Sequence, residues 1–167
     1  MKALLALAAL VATPACAQSA HVEVFRAGSH PAVPGPVERF TGMVTVQPVF
    51  DPHAPSTASA GTVTFQPGAH SAWHRHPKGQ YLIVLSGVGW TQEEGQPIVE
   101  IRPGDVVWCP PGVKHWHGAS ATTGLVQLSV QEAVDGKNVE WLEKVSAADY
   151  AKGPGREMSA PPHRIAP

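Results

Sequence analysis

Two histidine pairs constrain this chain more than any other feature of its sequence. The first pair is His74 and His76, followed directly by Pro-Lys-Gly, and the second is His115 and His117, which closely follows Pro-Pro-Gly. Residues two apart in an extended strand face the same way, so each pair predicts two imidazole rings on one face of a strand. Imidazole is a common ligand of zinc, copper, iron and nickel, and the two pairs therefore predict a metal site.

A single His-x-His pair is usually only polar decoration of a strand. Two pairs that lie roughly forty residues apart, each beside a Gly/Pro turn, are a stronger indication of metal binding. His30 and His53 lie in loop-like sequence and are interpreted as solvated, and His70 lies beside a turn and is left out of the metal site.

The residues around the two pairs resemble the two sequence motifs of the cupin family. In the first motif, Gly68 is followed at the cupin spacing by His74, His76, Gln80 and Gly87. Glutamine takes the place of the glutamate that most cupins have at this position.

The second motif consists of Gly104, Pro110, Gly112 and His115, again at the cupin spacing, and Ala119 stands where most cupins have asparagine. This motif and the first are specific for the fold, but they are weaker evidence for a reaction, because fold does not determine function.

Within the cupins, four stretches of this chain are similar to the manganese-dependent bacterial hydroxynitrile lyases, a group typified by (R)-mandelonitrile lyase. The stretches are Trp73–Gln80, Gly104–Trp108, Lys114–Gly118 and Asp135–Leu142, and the resemblance covers roughly residues 24–150. It implies a single all-β domain, a cupin-type antiparallel β-barrel or jelly roll, that holds a divalent metal ion.

Composition agrees with many short strands joined by turns, since the 167 residues include 16 glycines and 17 prolines. A barrel or jelly roll closes such strands without leaving exposed edges. A hairpin is expected around Ser86 and Gly87, and a short helix with Ser146 as its N-cap. The predicted strands lie near 43–46, 61–65, 80–85, 87–92, 98–101, 106–108, 115–117 and 125–131.

The N-terminus resembles a secretory signal peptide, residues 1–17. Lys2 precedes an apolar run that is too short to span a bilayer, and Ala15-Cys16-Ala17 is a small-residue cleavage site. The protein is therefore expected in the periplasm or outside the cell after cleavage near Ala17. A buried N-terminal helix and lipidation of Cys16 are the alternatives.

The remaining sequence divides into an N-terminal arm (18–36), a cupin domain (37–150) and a disordered C-terminal tail (151–167). The arm is expected to pair with a sheet edge. A net charge of −1 offers no basic surface to nucleic acid, and no membrane span is expected. A homodimer or higher homo-oligomer is implied by resemblance, and Trp141 is a candidate for contact with a partner.

The sequence predicts that one divalent ion per chain is bound by His74, His76, Gln80 and His115. The resemblance implies manganese, and zinc, iron, nickel or copper also suit the site. His117 shares the face of His115 but lies outside this set, so it is either a general base or a structural histidine.

The amide of Gln80 brings no negative charge to the ion, which favours Lewis-acid chemistry over oxygen activation. The sequence thus predicts a metal-dependent lyase that cleaves or forms cyanohydrins. A cupin dioxygenase and a non-catalytic cupin that binds a small molecule are the alternatives. Gln127 stands where the lyase group has histidine, and it is expected to line the same cavity with Gln131.

Overall fold

The computed structural model describes residues 21–155, and within them the chain forms thirteen short strands and one helix. The predicted signal peptide, Cys16, the first residues of the arm (18–20) and most of the predicted tail (156–167) lie outside the described residues. The all-β prediction is confirmed.

The strands follow the chain in short steps separated by turns that are rich in Gly and Pro. They are β1 (Val33–Pro34), β2 (Phe40–Thr41), β3 (Val44–Phe50), β4 (Ala58–Phe65), β5 (His70–Ser71), β6 (His74–Arg75), β7 (Gln80–Gly87), β8 (Gly89–Glu93), β9 (Val99–Ile101), β10 (Val106–Cys109), β11 (His115–Ala119), β12 (Leu125–Glu132) and β13 (Glu140–Trp141).

Two antiparallel sheets enclose the core. The first sheet has the strand order β1-β3-β4-β12-β7-β10, and the second has the order β13-β6-β11-β5-β2. Strand β8 also belongs to the second sheet, where it pairs with β11 on one side and with β9 on the other. Alternate side chains of the longer strands point inward, and Phe65, Leu82 and Leu125 are each at most 1% exposed. The two histidine pairs lie on β6, on the turn after it and on β11, so the second sheet carries them toward the interior.

The predicted hairpin around Ser86 and Gly87 is wrong. Strand β7 pairs with β10 and β12, whereas β8 pairs with β9 and β11 in the other sheet. Gly87 has a φ of 87°, and a Cβ there would lie 1.9 Å from the carbonyl oxygen of Gly124. Only glycine accepts that conformation at such close approach, so Gly87 turns the chain from one sheet into the other.

The N-terminal arm joins the first sheet through β1, where Val33 lies opposite Val46 and Pro34 lies opposite Thr45 of β3. This pairing agrees with the expectation that the arm adds to a sheet edge. Proline is tolerated at such an edge because it has no backbone N–H to donate.

The predicted short helix is present as α1 (Ala147–Tyr150). The hydroxyl of Ser146 accepts a hydrogen bond from the backbone N–H of Asp149 at 3.0 Å, which makes Ser146 the N-cap. The helix brings Tyr150 onto Trp90 and Trp116, on the outer side of the second sheet. We call Trp90, Trp116, Tyr150 and His70 the outer aromatic cluster.

A patch of exposed apolar side chains lies on the outer face of β7 and β10, where Tyr81, Leu85, Val106 and Trp108 are each at least 45% exposed. Exposed apolar patches often mark contact sites. The homo-oligomer stays a prediction that light scattering of the purified protein can check. No helix in residues 21–155 has the length and apolar character needed to cross a membrane.

Candidate metal centre

Strand pairing brings the predicted site residues together from distant parts of the sequence. His115 of β11 lies opposite His74 of β6, and Gln80 of β7 lies opposite Gln131 of β12. His76 follows β6 in the turn, and its side chain is also buried. All four predicted ligands are therefore in one region, at the meeting of the two sheets.

The distances confirm that these side chains converge. The ring centroid of His74 lies 4.4 Å from that of His115 and 5.3 Å from that of His76. The Oε1 atom of Gln80 lies 3.3 Å from Nε2 of His115. His117 is also close. His74, His115 and His117 each have a ring nitrogen that lies within 4.8 Å of the corresponding nitrogens of the other two.

Backbone carbonyls fix the tautomer of the three predicted histidine ligands. The Nδ1–H of His74 donates to the carbonyl of Ala72 at 2.9 Å, and that of His115 donates to Val113 at 3.0 Å. The Nδ1–H of His76 donates to Asn138, 62 residues along the chain. Each ring therefore keeps a lone pair on Nε2, as metal-ligating histidines do.

Burial keeps these rings neutral. Desolvation lowers the pKa of His76 to about 4. It also lowers the pKa of His74 well below its usual 6.5, assisted by repulsion from His115, and it lowers the pKa of His115. The Nε2 atom of His76 is buried without a hydrogen-bond partner. Neutral, converging imidazoles with an unpartnered acceptor fit a divalent metal ion.

His117 has a different second contact. Its Nδ1 lies 2.9 Å from the amide Nε2 of Gln127, which also donates to Ser129, while Oε1 of Gln127 is buried without a partner. In this arrangement Nδ1 of His117 accepts a hydrogen bond from the Gln127 amide, so the imidazole ring carries its own hydrogen on Nε2. Rotating the amide would present Oε1 to Nδ1–H instead and leave the lone pair on Nε2. Desolvation lowers the pKa of His117 well below its usual value.

A small cavity of about 170 Å³ adjoins these residues. Apolar and neutral polar side chains make up most of its wall, together with a single charged side chain, Arg39. The lining residues are Arg39, Phe40, Val46, Gly61, Val63, His74, His76, Gln80, His117, Ser129, Gln131, Asn138, Val139 and Trp141. The predicted cavity position of Gln131 is thus confirmed, whereas Gln127 is not among the lining residues and contacts the site only through His117.

Several of the lining residues were not predicted from the sequence, and three of them, Arg39, Asn138 and Trp141, bear most directly on the site. Trp141 packs beside His74, with ring centroids 4.8 Å apart. Its contact with a partner stays a prediction. Arg39 and Asn138 come from a turn before β2 and from the segment between β12 and β13. Of these three residues, Trp141 and Asn138 lay within a stretch that carried the family resemblance, and no local pattern marked Arg39.

Comparison with known proteins gives consistent matches. A family model described as "Cupin domain" matches residues 61–130. Over 131 residues the chain is 49% identical to the (R)-mandelonitrile lyase of Granulicella tundricola, an alignment that covers 78% of this chain and 100% of the relative.

Solved structures show the same fold. A cupin-like protein from Thermotoga maritima is 37% identical, with a TM-score of 0.69, and the match covers 81% of this chain and 100% of that one. A protein with a cupin-2 domain from Rhodospirillum rubrum is 23% identical, with a TM-score of 0.59 and coverage of 78% and 84%. The second likeness is evidence of the fold alone.

Proposed function

The chain belongs to the cupin family, and from that premise we propose that it is a metal-dependent lyase that cleaves or forms cyanohydrins. The main support is its 49% identity, over the whole length of the relative, to a protein named (R)-mandelonitrile lyase. The donor set supports the same chemistry, because the cavity wall contains histidines and amides but no carboxylate.

We propose His74, His76, Gln80 and His115 as the residues that hold one divalent ion. When bound, such an ion supplies Lewis-acid chemistry, because its positive charge favours negative charge on a substrate oxygen. The three histidines present neutral Nε2 atoms and Gln80 presents an uncharged amide oxygen, so the ligands leave the charge of the ion undiminished.

His117 is the proposed general base. It takes the proton of the cyanohydrin hydroxyl, the O–H electron pair forms the carbonyl, and the carbon–carbon bond to the nitrile breaks with its pair on cyanide. Return of the proton from His117 to cyanide yields hydrogen cyanide and an aldehyde or ketone. To accept the proton on Nε2, the ring must hold its hydrogen on Nδ1, which requires Gln127 to present its Oε1 atom.

The cavity residues also bind and orient the substrate. Phe40 and Trp141 supply apolar surface, and the two aromatic rings lie 5.6 Å apart at their centroids. An aryl or alkyl group of a cyanohydrin would pack there, leaving its hydroxyl toward the histidines. The walls exclude bulk water from the histidines, since His74, His76 and His117 are each at most 4% exposed.

The test is cleavage of mandelonitrile under nitrogen by protein loaded with manganese, with benzaldehyde and cyanide measured separately. We expect equimolar products without oxygen uptake. The matched control is the His74→Ala, His115→Ala double variant, which should show only the background rate. Turnover that requires oxygen would instead support a cupin dioxygenase, and binding without turnover would support a non-catalytic cupin.

We further propose that the protein is exported and that this affects its metal. Nitrogen ligands bind zinc and copper more tightly than manganese. Protein from its native compartment should therefore carry zinc or a mixture of metals, although the resemblance to the lyases implies manganese. Elemental analysis and N-terminal sequencing of that protein check both points. Uniform manganese would show a more selective site, and a start elsewhere than Gln18 would contradict the cleavage position.

A further inference from the structure

The charge of the cavity wall is unusual for a site that acts on neutral molecules. Among the residues that line the cavity, Arg39 alone carries a fixed charge, and no aspartate, glutamate or lysine shares the wall. The side chains of the wall therefore present net positive charge to whatever enters.

The Arg39 cation has no carboxylate partner within residues 21–155. Two other arginines are paired, Arg75 with Glu140 and Arg102 with Glu100. Arg39 is exposed, so its cation is reachable from solvent as well as from the cavity that it lines. An arginine at a cavity that is left without an internal anion can accept one from a ligand. Its planar fork of N–H donors matches the two oxygens of a carboxylate.

Arg39 is nonetheless held in position. Its backbone N–H donates to the carbonyl of Pro36, and its carbonyl accepts from the N–H of Ala72, both within 2.9 Å. Its guanidinium carbon lies 5.6 Å from the ring centroid of Trp141, a cation–π contact. Packing against an aromatic ring orients the cation without satisfying its hydrogen-bond donors.

A second observation at the same place also indicates a ligand. The indole Nε1–H of Trp141 is buried and has no acceptor within the described part of the chain. A buried donor without an acceptor is unfavourable, and an oxygen atom of a bound molecule would satisfy it. The indole contacts both the Arg39 cation and the ring of His74, so it links the charged part of the wall to the proposed reacting centre.

We propose that the natural substrate carries a carboxylate, which Arg39 binds while the hydroxyl or carbonyl group of the substrate lies at the histidines. The substrate class is thus a small hydroxy or oxo acid, including a cyanohydrin that bears a carboxylate. This inference rests on the proposed function for the position of the reacting oxygen. Neutral cyanohydrins such as mandelonitrile are then substrates that use only part of the site.

The experiment measures binding rather than turnover. Calorimetry with metal-loaded protein measures the affinities for mandelate and for its uncharged amide, mandelamide. These two probes are chosen because they differ chiefly in charge. The wild type should bind mandelate at least about tenfold more tightly than mandelamide. Arg39→Gln should weaken mandelate binding by roughly tenfold to a hundredfold, the usual value of a hydrogen-bonded charge, and leave mandelamide unchanged.

Matched variants separate position from general charge. Arg39→Lys keeps the charge but not the fork, so its affinity for mandelate should lie between those of the wild type and Arg39→Gln. Arg102→Gln removes an exposed arginine away from the cavity and should change neither affinity. Trp141→Phe removes the N–H but keeps a ring, and it should weaken mandelate binding. Equal metal content and circular dichroism spectra confirm that each variant is folded.

Several outcomes would overturn the inference. Equal affinity of the wild type for mandelate and mandelamide would do so, as would a preference for mandelate that persists in Arg39→Gln, because the carboxylate would then be bound elsewhere. Inorganic phosphate that binds as tightly, with the same dependence on Arg39, would refute the carboxylate class. Arg39-dependent binding without mandelonitrile cleavage would refute only the lyase, and cleavage without Arg39-dependent binding would refute only this inference.

Discussion

The two faces of the second sheet place buried histidines in contrasting surroundings. On the inner face, His115 and His117 meet His74, His76 and Gln80 around the cavity. On the outer face, Trp116 belongs to the outer aromatic cluster, where the ring of His70 stacks on Tyr150 with centroids 4.3 Å apart.

By itself, His70 looks much like a predicted ligand. It is 4% exposed, its Nδ1–H donates to the carbonyl of Gly68 two residues earlier, and its Nε2 is buried without a partner. His74 and His115 make the same local hydrogen bond. Burial and tautomer therefore do not distinguish a ligand from a packed histidine. The convergence of several donors on one point distinguishes them, and only the inner face has it.

The largest expected effect is on metal content. His74→Ala and His115→Ala should each lower it from about one equivalent to near zero, because each removes one of a small number of donors. His70→Ala is the outer control and should keep the full equivalent. Elemental analysis after gel filtration measures all three. Unchanged metal in both inner variants would contradict the site assignment.

The next effect concerns the proposed base. His117→Gln should lower kcat for mandelonitrile cleavage by roughly a hundredfold to ten-thousandfold, the usual contribution of a general base, while metal content stays unchanged. Loss of the metal in this variant would instead place His117 among the ligands, which its closeness to His74 and His115 permits.

The two faces also offer a matched pair of amides. Gln80→Glu adds a negative charge beside the histidines and should slow cleavage under nitrogen by roughly tenfold to a hundredfold, while metal is held more tightly. Gln92, whose Oε1 accepts from Nε1–H of Trp116 at 2.7 Å, is the outer counterpart, and Gln92→Glu should leave kcat unchanged. Oxygen uptake gained by Gln80→Glu, from a wild type inactive without oxygen, would favour the dioxygenase.

The smallest expected effect is on stability. Desolvation lowers the pKa of His70 below its usual 6.5, so the native state binds fewer protons than the unfolded state as the pH falls below that value. Acid therefore destabilises the native protein through this residue. His70→Phe should reduce the fall in the free energy of unfolding between pH 7 and pH 5, measured by urea denaturation of metal-free protein. An unchanged slope would mean that His70 titrates normally.

Much of this arrangement could be predicted from the sequence, because it depends on local periodicity. The spacing of His115 and His117 placed both rings inward and Trp116 outward, and Ser146 marked the helix start. The residues that were missed depend on long-range contacts. Trp141 reaches the site through the pairing of β13 with β6, and Arg39 reaches it through a turn held by Ala72. Local sequence carries no signal for either approach.

The hydrogen bond from His76 to Asn138 has a consequence for the order in which the site forms. The tautomers of His74 and His115 depend on carbonyls two residues away, so they are available once each short segment takes its local shape. The tautomer of His76 requires a carbonyl 62 residues further along the chain. A folding chain would thus acquire its full set of oriented donors only when the segment between β12 and β13 docks, so we expect full metal affinity to develop late in folding.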